Sequence, residues 1–158
     1  MSKTLVIGYG NTLRSDDGVG VWIADRVGGL QIHNVEVRTC HQLHLELVPD
    51  LIDYERVILV DAGLSGEPIA VRKCNPSPAL PSSTDHNVSP EVLQQLALEL
   101  YDVPIDIHLY TVRGECFDFG STFSPAVEAR ANKALAMIIS SIQSPITPLE
   151  HSQFEHHR

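Results

Sequence analysis

Two aspartates and one histidine stand at the ends of core-like segments, and together they could bind a metal ion. Asp17 follows the apolar run 5–7, and Asp61 ends the apolar run 57–60. His86 lies in a polar loop. Because the carboxyl ends of parallel strands meet at one edge of a sheet, we expect the three side chains to converge there. Two carboxylates and one imidazole would form a three-ligand site whose open positions something other than the protein completes.

Further polar residues lie near the same predicted edge. Asp16 directly precedes Asp17, and one acid of this pair is enough to cap the helix that follows. Asp16 could alternatively accept a proton as a general base. His41 and Gln42 follow the second predicted strand, so they reach the same edge. A buried, hydrogen-bonded His41 is one interpretation, and contact with a substrate is the other.

Apolar runs alternate with segments of helical periodicity, which predicts an α/β fold. We expect three layers, with a five-stranded, mostly parallel, twisted sheet and helices on both of its faces. The strands are predicted at residues 4–9, 35–39, 57–61, 69–73 and 107–113.

The first two helices are predicted from their boundary residues. The first should span residues 17–27 and end at Gly28 and Gly29, since glycine accepts the left-handed conformation that follows a last turn. The second should span residues 44–53 with an interruption at Pro49.

The last two helices each begin with a serine-proline pair, which suits a helix start. Ser89 and Pro90 open the third, and Ser124 and Pro125 open the fourth. Apolar residues at helical spacing are expected to form a buried stripe on each: Leu93, Leu96 and Leu100 on the third, and Val127, Ala131, Leu135, Ile138 and Ile142 on the fourth.

Composition limits the class of protein. The 158 residues are 43% hydrophobic, enough for one core, so we expect a single domain at residues 1–143 and a polar, flexible tail at 144–158. The net charge of −9, without a basic cluster, argues against nucleic acid as a partner. No apolar stretch approaches the roughly 18 residues that a spanning helix needs. Three dispersed cysteines without a paired motif are typical of a reduced, cytoplasmic protein, which we expect to be a monomer.

Two other functions compete with an enzyme that uses this metal site. Gly8 and Gly10 flank a strand end as in dinucleotide-binding proteins, but the third glycine of that fingerprint is missing, which favours a tight turn. An α/β nucleotide- or metal-binding module without enzymatic activity is the alternative to an enzyme. A self-sufficient zinc enzyme is the second enzymatic interpretation.

Several segments carry a resemblance to a known family. Residues 5–13 read Leu-Val-Ile-Gly-Tyr-Gly-Asn-Thr-Leu, and Asp-Asp-Gly-Val-Gly follows at 16–20. Val-Asp-Ala at 60–62, Asp-His-Asn at 85–87, and Phe-Ser-Pro at 123–125 after Gly120 continue the pattern. In order and spacing these segments resemble the nickel-iron hydrogenase maturation endopeptidases, over roughly residues 3–142.

The resemblance implies a peptidase that removes the C-terminal extension of a hydrogenase large-subunit precursor after nickel has been inserted. It places the family's metal ligands on Asp17, Asp61 and His86, and the nickel would arrive with the substrate. The His-Gln-Leu segment at 41–43 resembles the subset that serves bidirectional, NAD-linked hydrogenases. This similarity implies substrate contacts by His41 and Gln42.

Overall fold

The computed structural model describes residues 2–78 and 88–144, and this part of the chain forms one five-stranded sheet. The strands are β1 (Thr4–Tyr9), β2 (Val35–Cys40), β3 (Arg56–Gly63), β4 (Ile69–Lys73) and β5 (Asp106–Arg113). The helices are α1 (Val19–Gly29), α2 (Val48–Leu51), α3 (Pro90–Tyr101) and α4 (Pro125–Gln143), with 3-10 turns at Ser15–Gly18 and Leu45–Leu47.

The sheet order is β2-β1-β3-β5-β4, and only the β4–β5 pairing is antiparallel. Gly8 of β1 pairs with Val60 of β3, and Tyr9 pairs with Cys40 of β2. This register brings the carboxyl ends of β1, β2 and β3 to one edge of the sheet. The predicted five-stranded, mostly parallel α/β fold is confirmed.

Two hydrophobic clusters cover the two faces of the sheet, because alternate strand residues point to opposite sides. Leu5, Leu59 and Ile107 pack with Leu93 of α3 and Leu51 of α2 on one face. The intervening strand residues, including Val6 and Ile58, pack with Ile23 of α1 and Ile138 of α4 on the other. The molecule therefore has the expected three layers.

The end of α1 corrects one prediction. Gly28 and Gly29 are the last residues of the helix, and Leu30 after them keeps right-handed helical angles. Gln31 adopts the left-handed conformation instead, with φ of 51°. The helix thus ends at the glycines as predicted, but the left-handed residue comes two positions after Gly29, since glycine permits the left-handed conformation but does not require it.

The other helices show two further corrections. Pro49 lies in the first turn of α2, just after the 3-10 turn, and so does not interrupt a longer helix. Proline is tolerated there because its missing N–H has no partner within the helix. In α3, Leu100 does not continue the buried stripe and is 67% exposed, whereas Leu93 is fully buried.

In the part of the chain that the structure describes, no helix is long and apolar enough to cross a membrane. The predicted tail at 144–158 lies outside the described residues except for Ser144, and so does His86.

Candidate metal-binding site

Asp17 is held over the end of β1 by a tight turn. The backbone N–H of Asn11 donates a 2.7 Å hydrogen bond to Oδ2 of Asp17. Gly10 makes this turn with φ of +141°, and a Cβ there would lie 2.1 Å from the carbonyl oxygen of Asp17. Only glycine fits such a close approach in this backbone conformation. The turn therefore fixes the direction in which the Asp17 carboxylate points.

Two more glycines bring α1 directly onto the sheet. A Cβ on Gly8 would lie 2.1 Å from the carbonyl oxygen of Gly20, and one on Gly20 would lie 2.3 Å from that of Val60. No side chain separates the start of α1 from β1 and β3, so Asp17 comes close to the end of β3. The glycines thus serve backbone packing, and a phosphate bound here would meet the carboxylates of Asp17 and Asp61.

Asp61 is a partly buried carboxylate at the end of β3. Burial raises its pKa from 3.8 to about 6. Hydrogen bonds from the backbone of Ala62 and from the Tyr9 side chain oppose this rise, and the negative charge of Asp17 adds to it. The two carboxylates are therefore close enough to repel each other. A cation between them would relieve both the repulsion and the desolvation.

Tyr9 is a member of the site that sequence reasoning missed. Burial raises the pKa of its phenol, and the charge of Asp61 and the hydrogen bond to Asp61 act in the same direction. The phenol therefore stays protonated and donates to the Asp61 carboxylate. The signal was present in the sheet register: since Gly8 pairs with Val60, the next residue of β1 comes to lie beside the next residue of β3.

Asp16, by contrast, is fully buried and surrounded by donors. Its carboxylate accepts hydrogen bonds from the backbone N–H groups of Glu115 (2.8 Å), Cys116 (2.8 Å) and Ser124 (2.9 Å) and from the Ser124 hydroxyl (2.9 Å). Burial alone would raise the pKa of Asp16, but the four hydrogen bonds outweigh it and hold the pKa below its ordinary value.

Both oxygens of Asp16 are thus engaged by protein donors, which is unfavourable for accepting a proton during a reaction. The expectation that one acid of the pair caps the following helix is wrong, because neither the 3-10 turn nor α1 has a side-chain cap. Asp16 instead connects the loop before α1 with the loop before α4.

Additional bonds join the same two loops, which we call the clasp: residues 13–16 on one side and 115–124 on the other. Backbone groups pair in both directions, and two side chains reach across. The bonds run from Ser15 N to Gly120 O (2.8 Å), Gly120 N to Leu13 O (2.8 Å), Asp16 N to Cys116 O (3.0 Å), Ser15 Oγ to Asp118 O (2.7 Å) and Arg14 Nε to Phe117 O (3.2 Å).

His41 and Gln42 follow β2 at the edge that carries Tyr9 and Asp61. Both side chains are exposed, which excludes the interpretation of His41 as a buried core residue. Their exposed position at this edge suits substrate contact, which stays a prediction.

His86 lies outside the described residues, but positions before and after that gap are placed. Cys74 and Val88 pack against the same hydrophobic cluster as Tyr9. Glu91, in the first turn of α3, pairs with Arg72 of β4. Within residues 2–78 and 88–144, no three possible metal ligands come together. The described part of the chain therefore supplies two of the three predicted ligands.

Fold and site together define a three-layer α/β protein with the carboxylates of Asp17 and Asp61 at the carboxyl edge of its sheet, where ligand crevices form in such folds. This fold is shared with solved hydrogenase maturation proteases. The endopeptidase HybD from E. coli is 22% identical with a TM-score of 0.71, covering 89% of this chain and 92% of that one. The [NiFe] hydrogenase maturation protease HycI from Thermococcus kodakarensis is 21% identical with a TM-score of 0.69, covering 90% and 94%.

A hydrogenase 2 maturation peptidase from a Thaumarchaeota archaeon is 24% identical with a TM-score of 0.65, covering 90% of this chain and 99% of that one. No protein-family model and no curated protein sequence matches the chain. The similarity extends over nearly the whole length of each structure, so the chain has the complete fold of these proteases.

Proposed function

We propose that the chain is an endopeptidase that removes the C-terminal extension of a [NiFe] hydrogenase large-subunit precursor after nickel insertion. The observation that carries this proposal is the pair Asp17 and Asp61, two mutually repelling carboxylates at the crevice of a fold shared with solved hydrogenase maturation proteases. Ligand crevices of α/β sheets form at this edge.

Asp17, Asp61 and His86 are the proposed ligands of the nickel that the precursor carries. Two carboxylates and one imidazole bind a divalent first-row metal without the retention of a thiolate cage. The raised pKa of Asp61 fits this role, since a bound cation would offset the burial and the Asp17 charge that disfavour its ionised form. Cys74 and Val88, which lie before and after His86 in the chain, both pack on the face of the sheet that Tyr9 contacts.

The described residues would orient the complex. Asn11 fixes Asp17, and the Tyr9 hydroxyl fixes Asp61. The nickel supplies Lewis acidity beside the scissile peptide. Recognition of the bound ion would also give selectivity, because a precursor without nickel offers nothing for the two carboxylates to bind.

The setting of the reaction belongs to the same proposal. The three cysteines are free thiols, as expected for a reducing compartment such as the cytoplasm. A monomer is proposed, since one chain contributes all three ligands. Service to a bidirectional, NAD-linked hydrogenase rests on the His-Gln-Leu segment and stays a prediction.

The test is to incubate the purified chain with nickel-loaded and nickel-free large-subunit precursor and to follow the precursor mass. We expect loss of a C-terminal peptide from the nickel-loaded form only. No loss from either form would contradict the peptidase, and equal loss from both would contradict nickel recognition. Stoichiometric zinc in the purified chain would favour the self-sufficient zinc peptidase instead.

A further inference from the structure

Two large apolar side chains are exposed on the clasp. Leu13 is 55% exposed and Phe119 is 87% exposed. Single exposed apolar residues are common on protein surfaces and need no explanation. These two, however, lie on loops whose backbones are bonded to each other, since the N–H of Gly120 donates to the carbonyl of Leu13 at 2.8 Å. We call Leu13 and Phe119 the apolar rim.

The rim is held rigidly although it contributes little to the core. Asp16 is fully buried and accepts four hydrogen bonds from the opposite loop. Ser15 takes the left-handed conformation, with φ of 49°, and its hydroxyl donates to the carbonyl of Asp118, the residue before Phe119. Exposed apolar side chains on a backbone ordered in advance bind a partner with little loss of conformational entropy.

The rim also adjoins the proposed nickel site. Leu13 lies between Asn11 and Asp17, the two residues joined by the 2.7 Å hydrogen bond. Asp16, the residue before Asp17, donates its N–H to the carbonyl of Cys116, so the second loop of the clasp also lies next to Asp17 in the chain. The rim therefore belongs to the same loop region as the proposed ligand Asp17, and we expect a polypeptide that brings a peptide bond to Asp17 to reach it.

We propose that the apolar rim is the docking surface for the large-subunit precursor, next to the segment that is cleaved. This inference rests on the proposed function and deepens it. A second copy of this chain is the less favourable occupant, because a symmetric contact through the rim would bring two acidic crevices together between molecules that each carry a net charge of −9. The precursor is the favoured occupant because, under the proposed function, it carries a nickel ion that the carboxylates of Asp17 and Asp61 attract.

The test compares two double variants. Leu13→Gln with Phe119→Gln alters the rim. Leu30→Gln with Leu100→Gln is the matched control, because these leucines are 54% and 67% exposed and lie at the ends of α1 and α3 that point away from the crevice. Binding of nickel-loaded precursor and its cleavage are measured separately, together with the Tm of each variant.

We expect the rim variant to raise both the Kd and the KM for the precursor about tenfold, with kcat within about twofold of wild type and the Tm unchanged. The control should match wild type. A rim variant whose Kd and KM equal those of wild type would overturn the docking surface. So would a control variant that loses as much affinity as the rim variant. If wild type binds the precursor, the rim variant does not, and neither protein cleaves it, the docking surface is supported and the peptidase is refuted. No binding by wild type would refute both.

Discussion

Asp16 and Asp61 are both withdrawn from water near the same edge of the sheet, yet their carboxylates respond in opposite ways. The pKa of Asp16 lies below its ordinary value because four protein donors surround it. The pKa of Asp61 rises to about 6 because burial and the charge of Asp17 outweigh its two hydrogen bonds. An acid that the protein itself satisfies is structural, whereas a pair of carboxylates that no cation among residues 2–78 and 88–144 offsets is suited to a ligand from outside.

The largest effect is expected from Asp17→Asn, which tests whether the pair Asp17 and Asp61 binds a metal ion. The amide oxygen can still accept the hydrogen bond from Asn11, so the fold should be kept while one anionic ligand is lost. Processing of nickel-loaded precursor should fall by at least about a hundredfold in a mass-based assay. Asp25→Asn, an exposed acid on α1, is the control and should process normally. Full activity of Asp17→Asn would remove Asp17 from the ligand set.

Asp16→Asn tests whether the buried, hydrogen-bonded carboxylate is structural, and it should lower the stability of the fold. The amide group would face N–H donors, so we expect a loss of about 3 kcal/mol in the free energy of unfolding and a Tm lower by roughly 10 °C. Because the folded pKa is depressed, the stabilisation is present above the ordinary pKa and disappears as the pH falls through the folded value. The difference between wild type and variant should therefore shrink in acid.

The matched control for Asp16 is Asp118→Asn. Asp118 belongs to the same loop, its side chain is exposed, and the clasp uses only its carbonyl oxygen. Thermal unfolding of both variants checks the assignment. A Tm for Asp16→Asn equal to that of Asp118→Asn would show that the buried carboxylate does not hold the loops together.

Asp61→Asn should raise the free energy of unfolding, whereas Asp16→Asn lowers it. A carboxylate whose folded pKa is raised from 3.8 to about 6 destabilises the folded state when ionised, so removing its charge should stabilise the metal-free protein by about 2 kcal/mol at pH 7. The gain should shrink as the pH falls from about 6 to about 4, where wild-type Asp61 becomes protonated. Denaturant unfolding at both pH values measures it. If Asp61→Asn were less stable than wild type at pH 7, the destabilising effect of the ionised Asp61 carboxylate would be contradicted.

The smallest effect is expected from His41→Ala. Its exposed side chain lies at the crevice edge, so the KM for the precursor should rise about threefold without a change in Tm. His33→Ala, an exposed histidine just before β2 at the opposite edge, is the control. Equal kinetics in the two variants would leave His41 without a role in recognition.

The strands and the crevice edge could be predicted because they depend on local pattern. The run 57–60 is uncharged and mostly β-branched, and it forms the fully buried centre of β3. The roles of Asp16 and Asp17 could not be separated in this way. The partners of Asp16 lie 99 to 108 residues away, and no local signal indicates which of two adjacent acids meets them. The left-handed conformation of Gln31 after α1 was missed because either glycine could have taken it.

The clasp also has a consequence for the order of events during synthesis. The loop that carries Asp17 is made early, but the donors that fix its neighbour come from residues 115–124, at the start of the last helix. Contacts of such sequence separation form late, since a long stretch of chain must first be closed into a loop. On the ribosome, the loop that carries Asp16 and Asp17 should therefore become ordered only after the start of α4 has emerged.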